Sequence, residues 1–226
     1  MRIICLLIFA TVAFAASPDL EKARDAQDRK ALAGLTQQYG AAAQKAPNNP
    51  DALYNAAAAY SYAAEVATEV RDKSDAKNNA EAGIKAAENA VALAGNNAEY
   101  HRILGTLCGQ VIPANLLLAM KYGRCALDEV NRSIQLDGKS AMAYVSRGIG
   151  NYYLPASFGG GIDPAIRDFQ KAISMDPKLA EAHLWLGVAL RKAGRNAEAR
   201  KAMEDAVKLN PRRVWAKQQL EKTPAK

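Results

Sequence analysis

Few residues in this 226-residue chain are of types that do chemistry. There are two histidines, His101 and His183, and they sit in similar stretches, AEYHRILG from Ala98 and AEAHLWLG from Ala180. Repeated placement follows architecture rather than a single active site, so both read as structural. No serine–histidine–aspartate set is recognisable, and no H-E-x-x-H zinc spacing occurs. The expectation is a non-enzymatic chain with no metal site and no cofactor. Cys108 and Cys125 are the cysteines beyond the leading apolar run, and in an exported protein such a pair raises the question of a disulfide. A bridge needs alpha carbons within about 7 Å. If a second helix starts at Pro113, Cys125 falls several turns past the point opposite Cys108, so the register argues against the bridge without closing the question. Gly159-Gly160-Gly161 precedes a helix and superficially resembles a phosphate loop. No strand precedes it, no Lys-Ser/Thr follows it, and Asp163 would repel an anion, so it reads as a flexible loop.

The elements that would position these residues are helices. In Ala180 to Pro211, Leu186, Gly187 and Leu190 share one face of a first helix. Ala199, Met203 and Ala206 share one face of a second. The join is Ala193-Gly194-Arg195. Small residues at Gly187, Ala199 and Ala206 let the axes approach closely, and Asn210-Pro211 ends the unit. Such a hairpin leaves apolar surface on both sides and must stack on copies of itself. Half of the residues are apolar and only 7% are aromatic, which suits closely packed helices.

These residues, with Pro211, resemble the signature of the tetratricopeptide repeat (TPR). His183 stands where the family usually has an aromatic, and Leu190 where it has a tyrosine. The stretches at Ala98 and Ala180 lie 82 residues apart, fourteen more than two 34-residue repeats. About nine of the extra residues fall in Gln110 to Lys121 and about five in Pro155 to Gly161. The resemblance implies an all-α, right-handed helical solenoid of about four pairs, near 51–94, 98–136, 141–176 and 180–211. A capping helix is expected at each end, 18–45 and 212–221. The second pair carries more than a dozen further residues, expected as longer helices around Tyr62 to Asp75. Asp163-Pro164 reads as an N-cap and first-turn proline.

Residues 1 to 15 read as a signal peptide, with Arg2, the apolar run Ile3 to Val12, and the A-x-A site Ala13-Phe14-Ala15. The expectation is an exported protein of residues 16–226, periplasmic in a bacterium, with no stable membrane anchor. The formal charge is +7. The basic residues interleave with acids along helices, as in Glu198-Ala199-Arg200-Lys201, the pattern of a solvated face. Nucleic acid is not expected as a partner.

In the family the first helices line a concave groove, and the resemblance places groove residues accordingly. In the last unit these are Leu184, Val188 and Arg191, with Glu181. The pair at 141–176 offers Val145, Ile149 and Tyr152, with Met142. The pair at 98–136 offers Arg102 and Thr106, with Gly109, and the pair at 51–94 Tyr54, with Ala58 and Ser61. Such a groove suits an extended peptide or partner helix with apolar anchors and a carboxylate. Phe158 has two open placements. It forms an aromatic lip with Tyr152, Tyr153 and Leu154, or it tucks back onto the stack. The function implied is an interaction scaffold whose protein or peptide partner, like the oligomeric state, the chain does not name. The alternative is a small-molecule binding component of a transport system, resembling the T components of TRAP transporters. A pocket closed by the inserts favours that alternative; an open groove favours the scaffold.

Overall fold

Short polar residues set the starts of the helices. Asn49 accepts hydrogen bonds from the backbone N–H groups of Asp51 and Ala52, Asn97 from Glu99, Asn115 from Leu117 and Ser140 from Ala143. Each satisfies donors that the first turn leaves unpaired. The computed structural model describes residues 17–224, and the described residues are almost entirely helical. Its helices are α1 (Pro18–Asp25), α2 (Arg29–Lys45), α3 (Pro50–Glu69), α4 (Lys73–Leu93), α5 (Ala98–Val111) and α6 (Leu116–Leu136). They continue as α7 (Ala141–Tyr153), α8 (Ile162–Met175), α9 (Ala180–Lys192), α10 (Asn196–Leu209) and α11 (Val214–Glu221). Two short 3₁₀ turns, Ile112–Ala114 and Ala156–Phe158, lie between them. The signal-peptide expectation for residues 1–15 lies outside the described residues.

Four hairpins, α3–α4, α5–α6, α7–α8 and α9–α10, stack in order. Small residues bring the paired axes together. A Cβ at Gly187 would lie 2.5 Å from Met203 Cγ and 2.9 Å from the Ala199 carbonyl oxygen. A Cβ at Gly148 would lie 2.5 Å from the ring of Phe169. The fully buried Ala87, Ala90, Ala172, Ala199 and Ala206 continue the same close-packed seams. The extra residues of the second pair do lengthen its helices: α3 has 20 residues and α4 has 21.

Several expectations need correction. The N-terminal cap is a hairpin rather than one helix. Gln27 takes a left-handed conformation (φ 53°), and Asp28 restarts the chain by accepting from the N–H of Ala31. Helices α1 and α2 then fold against one another and onto α3. Helix α8 begins two residues early, after Gly161, and Asp163 makes no capping bond. The three glycines form a tightly built turn rather than a loose loop. Gly159 and Gly161 have φ of 86° and 127°, and a Cβ on Gly160 would sit 2.2 Å from the carbonyl oxygen of Leu154. Only glycine fits those conformations and that approach.

The cysteines are bridged. Cys108 and Cys125 form a disulfide with alpha carbons 5.9 Å apart. The register argument failed because Pro113 does not start the second helix. It lies in a 3₁₀ turn that prolongs α5, and the hairpin bends at Asn115. That shift draws Cys125 back opposite Cys108.

Candidate functional site

The first helices of the four pairs, α3, α5, α7 and α9, turn one face inward. Their hydroxyls and amides lace them together. Tyr54 donates to Glu99 (2.9 Å), and Ser61 donates to the Gln110 side-chain oxygen (3.1 Å). Thr106 and Arg102 both donate to the hydroxyl of Ser146, at 3.0 and 3.2 Å. Arg102 is also clamped by the carboxylate of Glu99. That pairing outweighs the cost of burial and raises its pKa further above the ordinary arginine value. Burial and the nearby Glu99 likewise hold the phenol of Tyr54 well above its ordinary value.

These helices enclose a cavity of about 290 Å³. Of the expected groove residues, Tyr54, Arg102, Thr106, Val145, Ile149 and Arg191 line it. Leu184 and Val188 do not; they are 1% and 5% exposed and belong to the core between α7–α8 and α9–α10. Tyr152 packs edge-on against Tyr153 and Trp185, outside the cavity wall, with the Lys192 ammonium 4.3 Å from its ring centre. Phe158 is neither lip nor core: it stands 46% exposed on the second 3₁₀ turn, while its neighbour Leu154 is buried. Ala58, Ser61, Met142 and Glu181 line the cavity as well, and at three positions the next residue along faces inward instead. Gln110, Tyr153 and Trp185 face the cavity where Gly109, Tyr152 and Leu184 were expected. The inward stripe advances in steps of four, as in Arg102, Thr106 and Gln110, because ridges of that spacing are inclined to the helix axis.

The concave side is a pocket that is narrowed but still partly open to solvent. The long ends of α3 and α5 contribute Thr68, Glu69, Gln110 and Pro113 to the wall. The two ends of the chain meet across the remaining gap. Arg213, just before α11, is 1% exposed and donates to Glu65 (2.6 Å), to Glu69 and to the carbonyl of Arg24 (3.4 Å). Asn210 donates to Asp25 (2.8 Å), and the side chains of Gln27 and Gln218 pair. Arg24 lies 3.8 Å from Glu181 and stacks over the ring of Tyr62 (5.1 Å).

Burial pushes the Glu65 carboxyl up to about 8, against the pull of Arg213 and Arg24. It raises Glu69 too, while Arg213 and Arg24 hold Glu181 below the ordinary carboxylate value despite its burial. Of these junction residues, Glu181 alone was read from sequence, as a groove residue; Arg24, Glu65, Glu69 and Arg213 were not. A signal was present: Glu65 and Glu69 interrupt the apolar stretch Ala63 to Val70 one helical turn apart.

His101 and His183 prove unequal. His101 is buried and bonded to Glu129 (2.6 Å) and the Gly95 carbonyl (2.9 Å); His183 is partly exposed and meets only the Pro177 carbonyl (3.0 Å). Among the described residues, no group of three or more His, Cys, Asp or Glu side chains is placed to hold a metal ion. Nor is any helix there long and apolar enough to cross a membrane.

The tetratricopeptide repeat family matches residues 180–213, the α9–α10 hairpin and the turn after it. A thermophilic TPR protein of Thermus thermophilus shares the fold over 88% of this chain and 99% of its own, at 16% identity and a TM-score of 0.60. Residues 180–213 form a tetratricopeptide repeat, and the chain has the fold of a TPR solenoid. Two further structures align at lower scores. YrrB, described as a TPR protein with an unusual peptide-binding site, aligns over 92% of this TPR chain and 100% of its own, at 19% identity and a TM-score of 0.45. MamA of Desulfovibrio magneticus RS-1 aligns over 92% and 98%, at 17% identity and a TM-score of 0.43. No curated protein matches the chain. At these identities the likeness describes the TPR fold and no subfamily.

Proposed function

We propose that this TPR protein is a non-enzymatic interaction protein of an exported compartment, and that it takes a short segment of a partner protein into its concave cavity. The observation that carries the reading is the cavity itself. Four successive first helices present tyrosine, aliphatic and hydroxyl side chains to one pocket that stays partly open to solvent, so a partner segment can enter it. At about 290 Å³ that space is at the small end of ligand pockets. It has room for a chain end or a few side chains, and none for a through-running helix. Arg71 and Lys222 stand exposed in its lining, with no ion pair among the described residues, and suit a segment that carries a carboxylate.

The second reading, a small-molecule component of a transport system, is favoured by one feature. The lengthened ends of α3 and α5 wall the cavity in, as a pocket for a whole ligand requires.

The test places a photo-crosslinking amino acid at Ile149, inside the cavity, and in a second protein at the exposed Phe158. The scaffold reading expects one partner segment cross-linked from Ile149, and lost when Ala58→Trp fills the cavity. If Ile149 yields no protein adduct and native mass spectrometry of the purified protein shows a bound small molecule, the scaffold reading falls to the second.

A further inference from the structure

The junction between the chain ends is held differently from every other contact between neighbouring helices. The backbones of α1 and α11 scarcely approach one another. The apolar cluster of the N-terminal cap, built on Leu20, Leu32 and Val66, shares no residue with the C-terminal cluster built on Trp185, Trp215 and Ala216. Hydrophobic burial therefore stops on either side, and side-chain polar contacts alone span the gap.

Those contacts are unbalanced. Asp25, Glu65, Glu69 and Glu181 face two guanidiniums, Arg24 and Arg213, and the side chains of all six are at most 17% exposed. Two carboxylates are in surplus where charge is costly to bury. The network is also incomplete. Arg213 Nε and Glu181 Oε1 are buried without a hydrogen bond, and the closest Arg213–Glu181 contact is 3.5 Å. A buried polar network left partly satisfied is weaker than either a complete one or an apolar contact.

We propose that this junction is a proton-controlled latch on the cavity. It is shut while one of its carboxyls holds a proton. When that proton leaves, α1 parts from α11 and the cavity opens. The gating role rests on the concave-face reading above; the latch itself does not.

The groups facing the junction identify the proton's site. Arg24 and Asp25 come from α1, Tyr62, Glu65 and Glu69 from α3, Tyr153 from α7, Glu181 from α9, and Arg213 from the turn before α11. The guanidiniums stay charged. Burial holds the Tyr62 phenol at about 12 and Tyr153 higher, so both remain neutral. Glu181 is kept ionised by Arg213 and Arg24. Glu65 remains, desolvated and pressed by Glu181 and Glu69, with its pKa near 8 and Glu69 displaced in the same direction. The closed form thus binds a proton that the open form, with an ordinary carboxyl, releases. Closure is fully supported below the ordinary value of 4.5 and is lost as pH rises through about 8.

The experiment measures the distance between spin labels on Lys22→Cys and Lys217→Cys, exposed positions on α1 and α11, in the full chain carrying Cys5→Ser. The bridged Cys108 and Cys125 do not take label. At pH 6 a single short distance is expected; at pH 9 a longer population grows at least several-fold. Glu65→Gln, a neutral near-isostere, keeps the short distance at both pH values. Asn210→Ala with Gln218→Ala, which removes bonds without touching the core, gives the longer distance already at pH 6. Unchanged distances between pH 6 and 9, or the same pH response in Glu65→Gln, overturn the latch. Because the readout needs no ligand, a failure of cavity cross-linking and a failure of the latch are separate results.

Discussion

The seam inside the α9–α10 hairpin and the junction of the chain ends are both buried, and they are held by opposite means. In the hairpin, Gly187, Ala199, Met203 and Ala206 close-pack with no polar atom to satisfy. At the junction, Arg213 is as deeply buried as Leu20 or Leu184, among carboxylates that outnumber the guanidiniums. The first kind of contact is insensitive to pH and forms between neighbours in sequence. The second joins residues 144 to 191 positions apart and depends on protons and salt.

The strongest way to break this comparison is Arg213→Ala. It leaves the buried carboxylates facing Arg24 alone, and removing one partner of a buried ion pair costs about 4 kcal/mol. Urea unfolding at pH 8 should show that loss. At pH 5, where the stranded carboxyls take up protons more readily, the loss should be smaller. A loss under about 1 kcal/mol at both pH values would make the junction an ordinary surface salt bridge.

Next is the disulfide, the covalent stitch within the repeat stack. It closes a loop of 17 residues, and replacing both Cys108 and Cys125 by serine should cost about 3 kcal/mol. The same loss should follow from reductant in the unmutated protein, and the drop in Tm should not vary between pH 5 and 9. A pH-dependent drop would couple α5–α6 to the junction and blur the contrast.

The hairpin's own test is Gly187→Val. Its branched side chain would press on Met203 and on the backbone oxygen of Ala199, which cannot give way, at a cost of about 2 kcal/mol. The denaturant midpoint should fall with an unchanged m-value and no pH dependence. A cost that vanishes at one end of the pH range would mean that the hairpin also leans on titrating groups.

The same contrast explains what could be read without the structure. Helical spacing, capping asparagines and the repeated small residues specify contacts between neighbours, and the sequence carries those locally. The four pairs and their seams were therefore legible from Gly187, Ala199 and Ala206 and from the repeated stretches at Ala98 and Ala180. So were Tyr54, Arg102, Thr106, Val145, Ile149 and Arg191, whose repeat positions point inward. Tyr152 and Leu184 give way to their neighbours Tyr153 and Trp185, and Val188 turns into the core, rotations that a linear register does not show. The bridge stayed an open question in the sequence because a single 3₁₀ turn at Pro113 moves the hairpin bend. The meeting of Arg213 with Glu65 and Glu69 was invisible for a different reason. Closure depends on the accumulated curvature of the whole stack, and no local pattern encodes it.

The smallest effects test whether equal sequence positions imply equal roles. His101 and His183 open the third and last first-helices in the same register. Only His101 is bonded at both ring nitrogens, to Glu129 and to the Gly95 carbonyl that closes the preceding helix. His101→Ala should cost about 1.5 kcal/mol, the range for a hydrogen bond to a charged partner. His183→Ala, which gives up a single contact at a partly exposed site, should stay within about 0.5 kcal/mol. The pair measured side by side in urea separates architecture from use. Equal losses would mean that the repeat position itself demands the imidazole. The expected inequality means that the repeat supplies the place, and that Glu129 on the neighbouring helix α6 gives the residue its role.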